Sequence, residues 1–261
     1  AEQLADWPPE RREAYFARHY PAYWLKADTA RQERHARFLA LSEEEGRSTA
    51  TKVRTDAFRG VTELTILAPD HPRLLAIITG ACAAAGGNIV DAQIFTTTDG
   101  LALDTIFVSR AFEQDEDELR RGERIALAIE RALKGEVKIA DLVATRRAPP
   151  PRGGAFSIAP EVIVDNSLSS RFTVLEVSGL DRPGLLYDLT TAIGKLNLNI
   201  ASAHIATFGE RAVDAFYVTD LARGKVTTPA RQQAIRRALT EVFAADPIAA
   251  DNGDAKAARS A

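Results

Sequence analysis

The chain has 261 residues, 46% of them hydrophobic and 26% charged, enough for one large domain or two small ones with cores of their own. Thirty-three Lys and Arg against 36 Asp and Glu leave a net charge of -3, so overall charge supplies no long-range pull toward nucleic acid or an anionic membrane. The single cysteine, Cys82, excludes an intramolecular disulfide framework and a multi-cysteine zinc site, and fits a reducing cytoplasm.

No apolar run approaches the roughly 18 to 20 residues of a membrane span, and the start AEQLADWPPE does not read as a signal peptide. The sequence has no methionine at all, which suggests a segment of a longer protein. Residues 1–57 are polar and balanced, with ten Lys or Arg against ten Asp or Glu. Pro8 and Pro9 open a helix carrying Tyr15 and Phe16, and Asp28 stands where an N-cap is needed for a second helix running to about Leu41. That is too little apolar surface to fold alone, so the segment reads as a helical connecting arm, ended by Glu43-Glu44-Glu45-Gly46.

An internal repeat follows. Shifting the chain by 111 residues aligns Asp70–Thr96 with Asp181–Thr207, with eleven of 27 positions identical, and ALDTIFV (102–108) with AVDAFYV (212–218). Each copy opens with an apolar strand, Val61 to Leu67 or Phe172 to Ser178, and an Asp-X-Pro turn. A helix follows, with Leu74, Ile77, Ile78 and Ala81 on one face in the first copy and Leu185, Leu189, Ile193 and Leu196 in the second. Asp70 and Asp181 are placed to accept orphan amide hydrogens, and Pro72 and Pro183 fall where a missing N–H costs nothing.

Strand two starts at Asn88 or Asn199, and turns at Asp99-Gly100 and Gly209-Glu210 lead to strand three. A second helix spans about Asp115 to Leu133, with Leu119, Ala126, Ile129 and Leu133 on its stripe; its counterpart starts at Thr228-Pro229. VKIADLV (137–143) reads as the fourth strand of copy one, giving a βαββαβ order. Copy two lacks that strand, and a hairpin from residues 161–164 is expected to fill the same sheet edge. The expected division is arm 1–57, first domain 58–145, Pro/Gly-rich linker 146–160, second domain 161–244, and a disordered Ala/Asp-rich tail 245–261.

A catalytic centre of recognisable type is missing from the sequence. His19, His35, His71 and His204 are scattered, and no G-x-S-x-G, Walker or G-x-G-x-x-G motif occurs. RNA binding through this strand order needs stacking aromatics, whereas RAVDAFYV (211–218) has Val213 and Ala215 in those places. What remains is the turn between strand one and helix one. Amides at a helix start suit a carboxylate and a neighbouring aspartate suits an ammonium group, so an amino acid fits both. Gly184 lets the backbone approach a ligand closely; Arg73, in the matching place, does not.

Two copies of D-x-P-x-L-L, each followed by N-I, resemble ACT domains, the amino-acid-sensing βαββαβ modules. More narrowly, both copies, SAHIATFGERAVDAFYVTD (202–220) above all, and EAYFARHYP (13–21) resemble the C-terminal region of the bifunctional uridylyltransferase/uridylyl-removing enzyme family. That resemblance implies an α+β chain, two ferredoxin-like βαββαβ (ACT) domains preceded by a helical arm, sensing L-glutamine. It implies regulation of an enzyme that transfers UMP to the PII signal protein and removes it again. The family's nucleotidyltransferase and HD domains, with their divalent metal such as Mg, hold the active sites; their Gly-Ser and His-Asp signatures are absent here, so no catalytic residue, metal ligand or cofactor is expected in this segment.

Carried over by position, the ligand loops are Asp70, His71, Pro72, Arg73 and Leu74, and Asp181, Arg182, Pro183, Gly184 and Leu185, with Asn88 and Asn199 alongside. Implied partners are the enzyme's own catalytic domains, PII and a second ACT surface, with neither nucleic acid nor membrane. A ligand-free ACT scaffold, and the amino-acid-responsive region of another enzyme, stand as the alternatives.

Overall fold

Prolines and one aspartate set the helices of the arm. In the computed structural model, which describes residues 4–146 and 158–244, Pro9 starts α1 (Pro9–Ala17) and Pro21 starts α2 (Pro21–Lys26). Asp28 caps α3 (Thr29–Glu44), its Oδ1 accepting from the Arg31 amide at 2.8 Å. The linker residues 147–157 and the tail 245–261 lie outside the described residues.

The first repeat comprises β1 (Ala50–Asp56), β2 (Val61–Pro69), α4 (Leu74–Ala84), β3 (Ile89–Gln93), β4 (Leu101–Ser109) and α5 (Asp115–Leu133). Then comes α6 (Ile139–Arg146). The second repeat comprises β5 (Glu161–Asp165), β6 (Thr173–Leu180), α7 (Leu185–Lys195), β7 (Leu198–His204), the short β8 (Thr207–Phe208), β9 (Arg211–Asp220) and α8 (Pro229–Ala244). The sheets run β1-β2-β4-β3 and β5-β6-β9-β7, antiparallel throughout, with β8 on β9. Both are ferredoxin-like sheets with their repeat helices on one face, and the α+β class with two ACT-type domains behind a helical arm is the architecture of the chain.

One expected strand is a helix. VKIADLV is not the fourth strand of copy one; Ile139 and Val143, one helical turn apart, point α6 at α4, and Val143 is buried. Its sheet edge is taken from upstream instead, by β1, which pairs with β2 from Ala50–Leu67 to Asp56–Val61 through a hairpin whose Gly60 has φ +65°. Residues 50–56, assigned by sequence to the arm, are therefore part of the first sheet. The expected hairpin of copy two does form: β5 lies antiparallel to β6. Both copies thus fill the same edge with the strand before strand one. Leu119 also departs from expectation, 39% exposed, while Ile125 takes the buried place on α5.

The copies pack together through α4 against α7, and edge strands β3 and β7 run next to each other. Thr79 Oγ1 and Thr190 Oγ1, 111 residues apart, share a hydrogen bond of 3.1 Å. Equivalent residues in mutual contact mark a pseudo-twofold axis, as in an isologous dimer interface. One core cluster runs through both domains, from Leu64 and Ile78 to Leu189 and Phe216. A second cluster joins the arm to the outer face of the first sheet, through Tyr15, Tyr23, Phe38 and Leu39 against Leu67, Phe95 and Leu103.

Candidate functional site

The loop after β2 and the loop after β6 descend from the same repeat and end in different surroundings. Helices α4 and α7 begin at Leu74 and Leu185, each two residues after its proline, so Pro72 and Pro183 precede the helices rather than falling in their first turns. Neither Asp70 nor Asp181 caps its helix, contrary to the sequence expectation; each carboxylate instead accepts a threonine hydroxyl from the neighbouring strand end. Thr96 donates to Asp70 Oδ2 at 3.0 Å, and Thr207 to Asp181 Oδ2 at 3.3 Å. Asp181 Oδ1 also accepts the Arg182 amide at 2.8 Å.

The first loop opens into a cavity of about 550 Å³. Asp70, His71, Pro72 and Leu74 line one wall. Asn199 and its strand neighbours through Ser202, with Arg171 and Arg223, come from the second domain. Tyr20, Tyr23 and Lys26 reach in from the arm. The cavity is therefore shared by the arm and both repeats. Arg73 does not line it; its side chain runs along α7, where a Cβ added at Gly194 would lie 4.0 Å from Arg73 Cγ. Of the two asparagines, Asn199 is in the wall, half-buried, with its Nδ2 3.4 Å from the Asp220 carbonyl, whereas Asn88 is exposed and away from the cavity.

The second loop lies outside the cavity. Gly184 has φ +81°, a left-handed backbone that glycine adopts freely, and Val143 of α6 lies 4.0 Å from where its Cβ would stand. Arg182 is tied down twice, its Nη2 donating to the Val242 carbonyl at 3.1 Å and its Nη1 paired with Asp188 at 2.7 Å. Neither Arg182, Pro183, Gly184 nor Leu185 lines the cavity. Sequence favoured the second loop, through Gly184 where the first has Arg73; in the structure it is the first that lines the cavity.

Two carboxylates that sequence reasoning passed over sit beneath these loops. Asp104 of β4 is fully buried in the cavity wall; burial first, then the nearby Asp70, push its carboxyl well above the usual range. Its Oδ1 meets the Phe95 amide only at 3.4 Å, and its Oδ2 has no hydrogen-bond partner. Asp214 of β9 is its twin, pushed up to about 7 by burial, with Asp181 adding, although the Ala206 amide opposes the shift. Their signal lay in the repeat itself: ALDTIFV and AVDAFYV each carry one aspartate inside an apolar strand. The arm's contribution had no comparable signal, because docking across the chain places it.

The arm also spans the seam between the domains. Arg31 Nη1 donates to Gln93 Oε1 at 2.9 Å on β3, and Lys26 Nζ lies 2.8 Å from His204 Nε2 on β7. Gln93 and His204 are repeat equivalents, so one segment grips the same position in both copies. Behind these contacts, the Tyr15 and Tyr23 hydroxyls are 2.8 Å apart, Tyr23 Oη is 3.1 Å from His35 Nδ1, and His35 Nε2 is 3.1 Å from Thr105 Oγ1 on β4. Among the described residues there is no group of three or more His, Cys, Asp or Glu side chains arranged to hold a metal ion, and no helix long and apolar enough to cross a membrane.

Comparison with known proteins gives the modules a family. The ACT domain model matches residues 62–124 and 173–236. Over 243 residues the chain is 60% identical to the bifunctional uridylyltransferase/uridylyl-removing enzyme of Bradyrhizobium diazoefficiens, covering 93% of this chain and 26% of that protein. The protein of the same description from Rhodopseudomonas palustris is 59% identical over 254 residues, 97% of this chain and 27% of its own length. The chain therefore spans about a quarter of the relatives it matches. The crystal structure of aspartate kinase from Synechocystis overlays with a TM-score of 0.40 at 16% identity, over 71% of this chain and 27% of that one.

Proposed function

We propose that this chain, which carries two ACT domains in tandem, is the amino-acid-sensing region of a cytoplasmic bifunctional uridylyltransferase/uridylyl-removing enzyme, with L-glutamine as its ligand. In this reading the chain has no chemistry of its own. It reports glutamine to nucleotidyltransferase and HD domains elsewhere in the protein, which modify and demodify PII. The family is supported by 60% identity to an enzyme of that description. The sensing role is carried by one observation, the cavity walled jointly by the arm, the first loop and Asn199 of the second domain.

A ligand there touches all three at once, so its binding energy depends on their arrangement. That is the requirement for regulation: a ligand shifts an equilibrium only as far as it binds one arrangement better than the other. Asp70 offers negative charge at one part of the wall, with the buried Asp104 carboxyl nearby, and Lys26, Arg171 and Arg223 offer positive charge elsewhere, which suits a zwitterion. The ligand site is the open first loop with Asn199, rather than the two loops equally.

Isothermal calorimetry of the chain with L-glutamine tests this directly. One glutamine per chain is expected, with a rise in melting temperature that grows with ligand concentration; at ten times Kd the gain is about 1.4 kcal/mol. No heat and no melting shift at 10 mM glutamine would remove the sensing role from this segment.

A further inference from the structure

We propose that Asp104 is the carboxylate that receives the ligand's ammonium group in this cavity, and that an amine-bearing ligand enters by releasing one proton from it. The inference rests on the sensing role of the cavity and adds to it the ligand class and the exchange that accompanies binding.

Asp104 is 0% exposed, yet it lies in a cavity wall with Oδ2 unpartnered and Oδ1 only 3.4 Å from an amide nitrogen. A buried carboxyl with one oxygen unpartnered is costly in a finished structure and marks a place where something binds. The charged group acting on it most strongly is Asp70, which carries the same sign. Lys26, His71, Arg171 and Arg223 share the wall without offsetting that influence. From α4 the titratable side chain is Cys82, itself buried with its thiol pushed up to about 12. His35 stands on the other face of β4, bonded to Thr105, the residue whose side chain points opposite to Asp104. In the empty cavity Asp104 therefore holds its proton to a higher pH than an ordinary aspartate.

A ligand bringing only acceptor groups would use that proton but leave the paired carboxylates facing each other with no cation. An ammonium group resolves both. Neutral Asp104 and a cationic amine become an Asp104 carboxylate bonded to the ammonium, and the displaced proton passes to solvent; no other bond changes. Asp214 is the built-in control, because it has the same place in the second repeat beneath a loop that lies outside the cavity.

The test is calorimetry of the whole chain at pH 8 with L-glutamine, L-asparagine, L-serine and glutaramate, which lacks the amine, each in phosphate and in Tris. The difference in heat between buffers counts the protons released. The expected result is about one proton released per bound amine and no binding of glutaramate. Asp104→Asn should bind at least tenfold more weakly with no proton release, while Asp214→Asn keeps both affinity and release. The Asn variant should also melt higher than wild type at pH 8 without ligand, which reports its folding separately. Wild-type binding without proton release, glutaramate binding as well as glutamine, or unchanged affinity in Asp104→Asn would each overturn the proposal. Binding of asparagine or serine with proton release, but not of glutamine, would keep Asp104 in this role and displace glutamine as the ligand. Failure of all three amines would overturn both.

Discussion

The two ACT domains start from one pattern and differ in what the rest of the chain lays over them. Strand β4 of the first is buried from Ala102 to Val108, on both faces; its equivalent β9 alternates, with Ala212, Asp214, Phe216 and Val218 buried and Val213 40% exposed between them. The arm accounts for this, because its apolar cluster packs on the outer face of the first sheet, whereas the second meets it through Lys26 at His204 and the Tyr217 ring. The loops show the reverse. The first lines the cavity, and the second lies outside it, with Val143 of α6 4.0 Å from where a Cβ at Gly184 would stand. A repeated module fixes a frame, and the non-repeated segments decide which loop lines the cavity and which sheet carries the arm.

The most forceful way to break that contrast is to strip the arm from the first sheet. Tyr23→Ala deletes a side chain 2% exposed at the centre of the arm's cluster and should cost about 3–5 kcal/mol. Both tryptophans, Trp7 and Trp24, belong to the arm, so intrinsic fluorescence reads its docking. A red-shifted emission at lower denaturant is expected; an unchanged unfolding midpoint would show that the arm is not held by this cluster.

Acid should act on the same side. Burial holds His19 down at about 4 and His35 at about 3, with neighbouring arginines adding in each case. Both lie below the ordinary histidine value, so between those values and about 6.5 the unfolded chain binds more protons than the folded one and stability falls as pH falls. By pH 5 each contributes a loss of about 2 kcal/mol. Hydrogen exchange at pH 5 should release α1–α3 and β4 ahead of β9; simultaneous release would mean that the arm and second domain do not separate.

Gly80→Ala probes the packing of α6 beside the second loop. A Cβ there would fall 2.2 Å from Ile139 and 2.7 Å from Tyr187, forcing α6 away from α4 and α7 at a cost of about 1–3 kcal/mol. Faster proteolysis or exchange at residues 181–185 is the expected result, and none at all would show that α6 yields without moving. Finally, Asp70→Ala should weaken glutamine about tenfold, or about 1.4 kcal/mol, while Asp181→Ala changes it less than twofold. Equal effects of the two would erase the functional difference between the loops.

Much of this frame was legible in the sequence because a duplication is a pattern in one dimension. The Asp-X-Pro turns, strand two at Asn88 or Asn199 and the helix stripes all recur at one offset, and the upstream hairpin of copy two followed from a missing strand. The corresponding hairpin of copy one went unseen because VKIADLV supplied a plausible strand, although Ile139 and Val143 equally suit one helix face. The candidate site was legible in its first loop and in Asn199. Nothing local to Tyr20, Tyr23 or Lys26 says that they meet Asp70, since tertiary docking brings them there. Arg73, unlike Gly184, seemed to argue against the first loop, yet its side chain leaves along α7 and the cavity remains.

The contact of Thr79 with Thr190 has a consequence for how such a region can change over time. In a homodimer, every substitution appears on both sides of the axis, and a residue on the axis meets its own copy. Joined in one chain, the two halves keep the geometry of that pairing but are free of its enforced equality. Arg73 and Gly184 occupy one position of the module with different residues, and a homodimer has no means of writing that difference. Fusion thus frees two obligatorily identical sites to diverge, so that one can be kept while the other is lost, buried or reassigned and the paired architecture stays intact.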